Sequence, residues 1–547
     1  MIKSKTVWRI LFCIIAMVFI VLGTWSLVNF ANVRGESEPF AKISRETTYA
    51  TSPLDKNGNV NYAKYLDEKW REGVTPDENA VVLFAEIMGP GRLFGVEREA
   101  ECFERIGLEP LKNDGDYFLS HHAFIRSFHL NKAAEETFSD EYVKAIFKPW
   151  TEEKYPRIAD WLSANEHLEE KIRKAARRPK IYFPNWVPSF EKERHDSPAG
   201  FGEFSHFSID GLPNFTQISA LKRIALGQLD EAIIDATTVY HFGRLFNQLN
   251  GESSISDAKH CFRYSLYLFR LIVNSDEVTP DQVERIEKFI RGNNFEVNYS
   301  AAVDLGGRIR FLSAVQTAAT DGGKWFVDNF EIDYEDRPVI KRQVGVILAA
   351  VDWNTVLREI NETHDRLMAI LNNRNIRMQI AEFVSLGKEL EYDSDELFSA
   401  FEVGSVLAGT PISKARWMVK LFFNNYAENV PDYFSFHVPR IIFSIRLEKE
   451  LSLVAIALEK YRLQNDHYPG NLATLVPAYL KKLPSDPFGS GPFKYRLEEG
   501  QYLLSSVGPN EIDEVVEAIK PSDSYVFVDD VIVGAINGPI YRAADEE

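Results

Sequence analysis

The sequence of 547 residues carries a formal net charge of -18, with 45% hydrophobic, 26% charged and 13% aromatic residues. This is a folding composition without long low-complexity segments, and its acidic balance argues against nucleic acid and against adsorption to anionic lipid, both of which would repel it. Beyond Cys13 only Cys102 and Cys261 are cysteines, which excludes a disulfide-rich scaffold or a multi-cysteine metal site and leaves either one disulfide or two buried thiols.

Residues 10–28 contain no charged side chain. As a helix rising 1.5 Å per residue, a run of that length spans about 30 Å of hydrocarbon. A cleaved signal peptide has an apolar stretch of about 7–15 residues followed by small residues, whereas this run leads to Trp25, Asn29 and Phe30. The expectation is a retained signal anchor in the cell (inner) membrane: a cytoplasmic tail at 1–9, a single transmembrane helix at 10–31 and a linker at 32–61. Lys3, Lys5 and Arg9 precede the helix, while Arg34, Lys42 and Arg45 follow it among Glu36, Glu38 and Glu46. With the basic residues level, the nearness of Arg9 and the amino group place the N-terminus inside and the bulk of the chain outside.

Residues 62–435 show helical apolar spacing and are expected to form a helical extracytoplasmic domain. Thr75-Pro76-Asp77-Glu78 has the form of a capping box with proline at the first helical position, opening an apolar helix over 80–88 that Gly89-Pro90 ends. Thr279-Pro280-Asp281-Gln282 repeats the device ahead of Val283, Ile286 and Ile290. Between them, 225–246 and 255–273 read as a helical hairpin across the polar connection 247–254. Residues 225–236, ALGQLDEAIIDA, resemble the turn between paired helices of tetratricopeptide-type repeats. No second copy stands at that period, so a packed, non-repetitive helical domain is the plainer reading.

Composition changes after Pro439. A helix over 441–464 is followed by short segments broken by Pro469, Pro477, Pro484, Pro487 and several glycines. Of these, 493–497, 502–506 and 525–533 are rich in aromatic and β-branched side chains and read as strands. The expectation for 436–547 is a small α+β module, with Ile445, Ala455, Leu458 and Tyr461 laid against strands around Tyr495, Leu503 and Val531. The fold class read from the whole chain is therefore mainly α, with an N-terminal transmembrane helix, a large helical domain and this C-terminal module.

The pieces ALEKYRLQNDHYP (457–469), NLATLVPAYL (471–480), LPSDPFG (483–489), KYR, YLLSSVGPN and DDVIV occur in an order and spacing that resemble the major pseudopilin of type II secretion. Pilin-like subunits fuse a processed leader directly to the long helix, whereas here the chain begins MIKSKTVWRI and the pilin-like helix lies far downstream. The resemblance therefore implies a shared module rather than a filament subunit. The remainder is similar to an uncharacterised family of large membrane-anchored proteins abundant in planctomycete bacteria. That likeness rests on VNYAKYLDEKWREGVTPDENAVVLFAEIMGP, WTEEKYPRIADWLSANE with the following ARRP, and LGQLDEAIIDATTVYHFGRLF, and it implies architecture without an activity.

Pseudopilins of this type commonly bind calcium between their last strands, and the resemblance maps that loop onto Ser506, Asn510, Asp513, Asp523, Asp529 and Asp530. Asp513, Asp529 and Asp530 are the candidate ligands for a hard cation that takes oxygen donors; the alternative is a solvated acidic loop. DKNGNVNY from Asp55 places Val60 and Leu66 where an EF-hand loop needs glycine and glutamate, so it reads as a turn. His121, His122 and His129 form the one local histidine cluster, and a continuous helix would align His122 with His129. The basic run 171–178 reads as a solvated helix face. No HExxH, GxSxG, Walker-type or GxGxxG motif occurs. These features point to a membrane-tethered interaction or structural protein with a protein partner. The alternatives are an extracytoplasmic hydrolase using converging carboxylates and an accessory factor of a secretion apparatus.

Overall fold

A computed structural model describes residues 39–129, 131–184, 209, 211–249, 251–321, 351–373, 375–390, 410–426, 438–489, 491–498, 501–507 and 532–534. The expected anchor, residues 10–31, lies outside the described residues, and among the described ones no helix is long and apolar enough to cross a membrane. The architecture is mainly helical, with one small antiparallel sheet near the C-terminus.

The stretch expected as a linker is packed into the helical body from its first described residues. Ala41, Thr47, Thr48, Ala50 and Val60 are buried, and side chains from distant helices hold the strap's backbone. Asn361 Nδ2 donates to Glu46 O at 3.1 Å and Thr47 O at 2.7 Å, and Lys42 N donates to Asn354 Oδ1 at 2.8 Å.

Helix α1 (Tyr62–Arg71) is capped by the Asn61 side chain. Helix α2 (Ala80–Met88) is buried on nearly every side, as a sequence apolar at every position but Glu86 requires. Its start differs from the expected capping box. Residues 75–78 form a turn in which Thr75 Oγ1 donates to Glu78 Oε2 at 3.2 Å, and the cap is Asn79, whose Oδ1 accepts Val81 N–H. The neighbouring chain decides this, because Ala80 N–H donates to Lys180 O and Tyr182 N–H donates to Asn79 Oδ1, which fixes the first helical residue from outside the local sequence.

Helices α3 (Glu99–Ile106), α4 (His121–Ser127), α5 (Lys132–Ala145), α6 (Pro156–Asn165) and α7 (Glu169–Arg177) follow, and α7 packs on α2. Then come α8 (Gly211–Ala225), α9 (Leu229–Phe246) and α10 (Glu252–Val273), in which α9 packs on both neighbours. The segment likened to a tetratricopeptide turn is the α8–α9 corner, with Gly227 at φ +69° in the left-handed region. The hairpin expected to start at 225 therefore starts at Leu229, since residue 225 ends the preceding helix. Gly243 permits the close α9–α10 approach, since a Cβ there would sit 2.7 Å from the Phe262 ring.

Helix α11 (Pro280–Gly292) begins with the expected capping box, Thr279 and Gln282 bonding reciprocally. A π-helical stretch, Ala302–Gly307, leads into α12 (Arg308–Asp321); α13 (Trp353–Leu371) packs on α12, and α14 (Ile376–Leu390) and α15 (Pro411–Tyr426) pack on α13.

Helix α16 (Val438–Asn465) then serves two cores. Ile445, Leu453 and Ile456 belong to the large helical core, whereas Leu447, Leu451, Val454, Ala455 and Leu458 belong to a second cluster with Leu475, Leu480, Phe488, Tyr502 and Leu504. Strands β1 (Lys494–Glu498), β2 (Gln501–Ser505) and β3 (Ile532–Gly534) pair antiparallel in that order. Two expectations change here. Ile445 faces the helical core instead of the sheet, and on β2 Tyr502, Leu504 and Ser505 are buried while Leu503 is only half-buried. In a strand alternate side chains share a face, so choosing Leu503 selected the wrong parity.

Candidate functional site

The seam along α16 concentrates polar chemistry inside the molecule. Glu448, Ser452 and Glu459, at 3%, 0% and 0% exposure, interrupt the apolar faces of the helix. Arg263 Nε donates to the Glu448 carboxylate, Arg270 Nη1 donates to Ser452 Oγ at 2.8 Å, and Ser452 Oγ donates to Glu448 O at 2.7 Å. Arg263 and Arg270 both come from α10, so these bonds tie the body to the helix that carries the module. Burial holds the Arg270 guanidinium below its ordinary range, with Glu448 pulling the other way. Nearly two turns before the end of α16, Glu459 accepts from Tyr468 Oη and from Arg462 Nε at 2.7 Å. Burial pushes the Glu459 carboxyl up, opposed by those two donors. Tyr502 is fully buried nearby, and burial raises its phenol well above 10.

A groove of about 590 Å³ opens beside this seam, between α11, α16 and the loop after the cis Val476-Pro477 bond. Leu453, Leu480, Pro477 and Pro484 supply its apolar surface, and Glu287, Arg291, Glu450, Lys481 and Lys482 its charges. Glu287 is already engaged, accepting from Arg291 Nε at 2.8 Å and from Lys460 Nζ. Its pKa is lowered overall: burial, the largest influence, raises it, but the two cations outweigh that.

Two further charge clusters lie in the helical body. Asp235, 2% exposed, accepts from Arg173 Nη2 at 2.8 Å and from Arg223, and Arg223 Nη2 also spans both Glu169 oxygens at 2.7 Å. Burial lifts the Asp235 carboxyl to about 6 against both guanidiniums. Arg308, 2% exposed, donates to Asn361 O at 3.1 Å, Asp304 Oδ1 at 3.0 Å and Asp365 Oδ1 at 2.6 Å. Its guanidinium and that of Arg45 lie 4.6 and 3.5 Å from the Tyr49 ring centre, and Tyr49 Oη donates to Asp304 Oδ2 at 3.2 Å.

The nominated calcium residues Asp513, Asp529 and Asp530 lie outside the described residues, as do Asn510 and Asp523. Ser506 is described, and its hydroxyl donates to Asp486 Oδ1 at 2.9 Å. Asp486 also accepts the backbone N–H groups of Phe488 and Val507, each at 3.0 Å, so it knots the DPFG loop to the end of β2. The histidine alignment does not form. Helix α4 ends at Ser127, His129 has φ +46°, and the His121 ring stacks on Tyr142 with centroids 4.9 Å apart. Asp55 makes the expected turn, its Oδ1 accepting from Asn57 and Asn59 N–H at 2.8 and 2.9 Å.

The basic run is more than a solvated face, because Arg173 reaches Asp235, and Arg178 Nη1 donates to Pro76 O and Asn79 O at 2.8 and 2.7 Å. Cys102 and Cys261 are buried thiols that form no disulfide, and burial pushes the Cys102 thiol up to about 12. Among the described residues no three His, Cys, Asp or Glu side chains are grouped to hold a metal ion. Sequence reasoning missed the seam and the groove. The available signal was Glu448, Ser452 and Glu459 spaced by four and seven along one helix, which puts them on one face. Neither a protein-family model nor a curated protein nor a solved structure matches the chain.

Proposed function

We propose that this chain is a membrane-tethered, extracytoplasmic interaction or structural protein. In this reading residues 10–31 are the anchor, the helical body and its C-terminal module act as one block, and a protein is the partner. The reading rests on the planctomycete-type resemblance over nearly the whole chain and on the pseudopilin-like resemblance of the module.

The observation that carries the proposal is how the deep charges are used. Asp235, Glu448 and Glu459 each meet a guanidinium, and Asp486 is filled by a hydroxyl and two backbone N–H groups. A glycoside hydrolase needs a pair of carboxylates facing a substrate cleft, one holding a proton. Asp235 and Glu448 instead cross-link helices, Glu459 ties α16 to the turn that follows it and Asp486 ties a loop to the end of β2, an economy suited to a rigid scaffold. Burying paired charges contributes little net stability compared with apolar packing, but it penalises misdocked arrangements that would leave a charge alone.

Affinity capture of the tagged full-length protein from membranes tests the reading. A protein recovered in fixed stoichiometry supports it, whereas capture of the chain alone, together with turnover of a polysaccharide or peptide substrate, would replace it with the hydrolase. Protease added to intact spheroplasts tests the topology separately: the domain should be digested, and full protection would reverse the orientation.

A further inference from the structure

We propose that the groove between α11, α16 and the 477–484 loop docks a short acidic segment of a partner protein, one that combines carboxylates with apolar side chains; this rests on the reading of the chain as an interaction protein. The sign of the groove runs against that of the chain. In a chain of net charge -18, the groove is lined by the cations Arg291, Lys481 and Lys482 and by the acids Glu287 and Glu450. Glu287 is already neutralised, since it accepts from Arg291 Nε at 2.8 Å and from Lys460 Nζ. Lys481 and Lys482 are exposed and neither forms an ion pair with a described residue, so of the lining acids only the exposed Glu450 is left to offset them.

The loop that carries the lysines is pinned on both sides of them. Before them, Leu475 and Leu480 are buried in the second core. Tyr479 N–H and Leu480 N–H donate to Leu475 O at 2.9 and 3.0 Å, and Tyr479 Oη donates to Gln464 Oε1 on α16 at 2.6 Å. After them, Asp486 N–H donates to Gly491 O at 2.9 Å while its carboxylate holds Ser506 and Val507 at the end of β2. A loop ordered before binding loses little further freedom when a ligand arrives. Beside the lysines, Pro477 and Ala478 are exposed and Pro484 is half-buried, a surface on which apolar side chains can lie without covering a polar group. A basic segment would be repelled by Lys481 and Lys482, and a wholly apolar one would leave both charges without a partner. At physiological salt, charges interact over about 8 Å, so a carboxylate seated here meets these two lysines and is screened from the distant acids that set the overall sign.

A fluorescein-labelled octapeptide of alternating glutamate and leucine, titrated with the full-length protein in detergent and followed by fluorescence anisotropy, tests this. Binding should saturate, and zero-length carbodiimide cross-linking should join the peptide to Lys481 or Lys482. Lys481→Glu/Lys482→Glu should weaken binding about tenfold by reversing two surface ion pairs, and Lys481→Arg/Lys482→Arg should retain it. Both lysines are exposed, so neither double variant should change the melting temperature. Three results would each overturn the proposal: no saturation up to about 1 mM peptide, equal binding by the charge-reversed protein, or cross-links from the two lysines to acids of this chain or of a second copy in place of the peptide. Affinity capture from membranes with the wild-type and charge-reversed proteins separates the groove from the reading beneath it. A partner held by the wild type and lost by the charge-reversed protein supports the groove, and a partner held equally by both overturns the groove while the interaction reading stands. No partner for either protein, with the peptide still linked to the two lysines, refutes the interaction reading and leaves the groove a site for acidic peptide.

Discussion

Leu458→Ala tests whether α16 makes one cooperative unit of the two cores. Leu458 is 0% exposed in the second cluster, where Leu475, Tyr502 and Leu504 also lie. Truncation removes its buried methyl groups and leaves a cavity, at a cost of about 3 kcal/mol within the usual range of about 2–5. If the module and body unfold together, the whole protein loses that amount, and a urea midpoint moves down by about 1 M for a slope near 3 kcal/mol/M. All 9 tryptophans precede α16, so tryptophan fluorescence reports the helical body without seeing the module. Hydrogen exchange at β1 and β2 reports the module. The expected result is that both probes shift together in urea, even though the substitution touches only the second core. An unmoved tryptophan transition alongside faster exchange in β1 and β2 would refute the argument and make the module an independent folding unit.

Asp235→Ala should destabilise the body by about 3 kcal/mol in chemical denaturation, because Arg173 and Arg223 lose a buried partner; a loss below 1 kcal/mol would show that Glu169 and Glu231 compensate. His364 is fully buried, and burial holds its imidazole down to about 4 from an ordinary 6.5. The unfolded chain therefore binds the proton first on acidification. The contribution is complete above about pH 6.5 and is lost as pH falls towards 4, amounting at most to about 3 kcal/mol for this side chain. His364→Gln should flatten the fall in melting temperature between pH 7 and pH 5, and an unchanged slope would assign the acid sensitivity to other groups. If Asp513, Asp529 and Asp530 bind calcium, millimolar calcium should raise the melting temperature of the full chain by mass action, and superimposed melts in calcium and in chelator would dismiss the site.

Local signals in this chain were legible where nothing distant competed with them. Thr279 and Gln282 form their capping box because, among the described residues, no distant group bonds to either of them, and Asp55 closes its turn through neighbours within four positions. Thr75 carries almost the same signature and fails, because Lys180 and Tyr182 bond to Ala80 and Asn79 across the fold and move the start. The helix over 441–464 and the strands near 494 and 502 were readable from composition. The face of each was less so: the period of a strand is two residues, and a choice of Leu503 over its neighbours inverts it.

The seam was harder to read than either, for a deeper reason. Glu448 and Glu459 look like two of 80 acidic residues until α10 brings Arg263 to the first and the turn after α16 brings Tyr468 to the second. Apolar positions declare their burial by periodicity, whereas a buried charge resembles an exposed one and is identified only by its partner. A helix flanked by two cores also has apolar residues all round, which blurs the periodicity that would have marked its polar positions as exceptions. A double-mutant cycle on Arg263 and Glu448 measures what that hidden pairing is worth. Removing Arg263 alone should cost about 3–5 kcal/mol by stranding the buried Glu448, removing Glu448 alone should cost less because Arg263 is partly exposed, and removing both should cost clearly less than the sum. Strict additivity would mean that the two groups do not interact, and the seam would then be held by its apolar side chains alone.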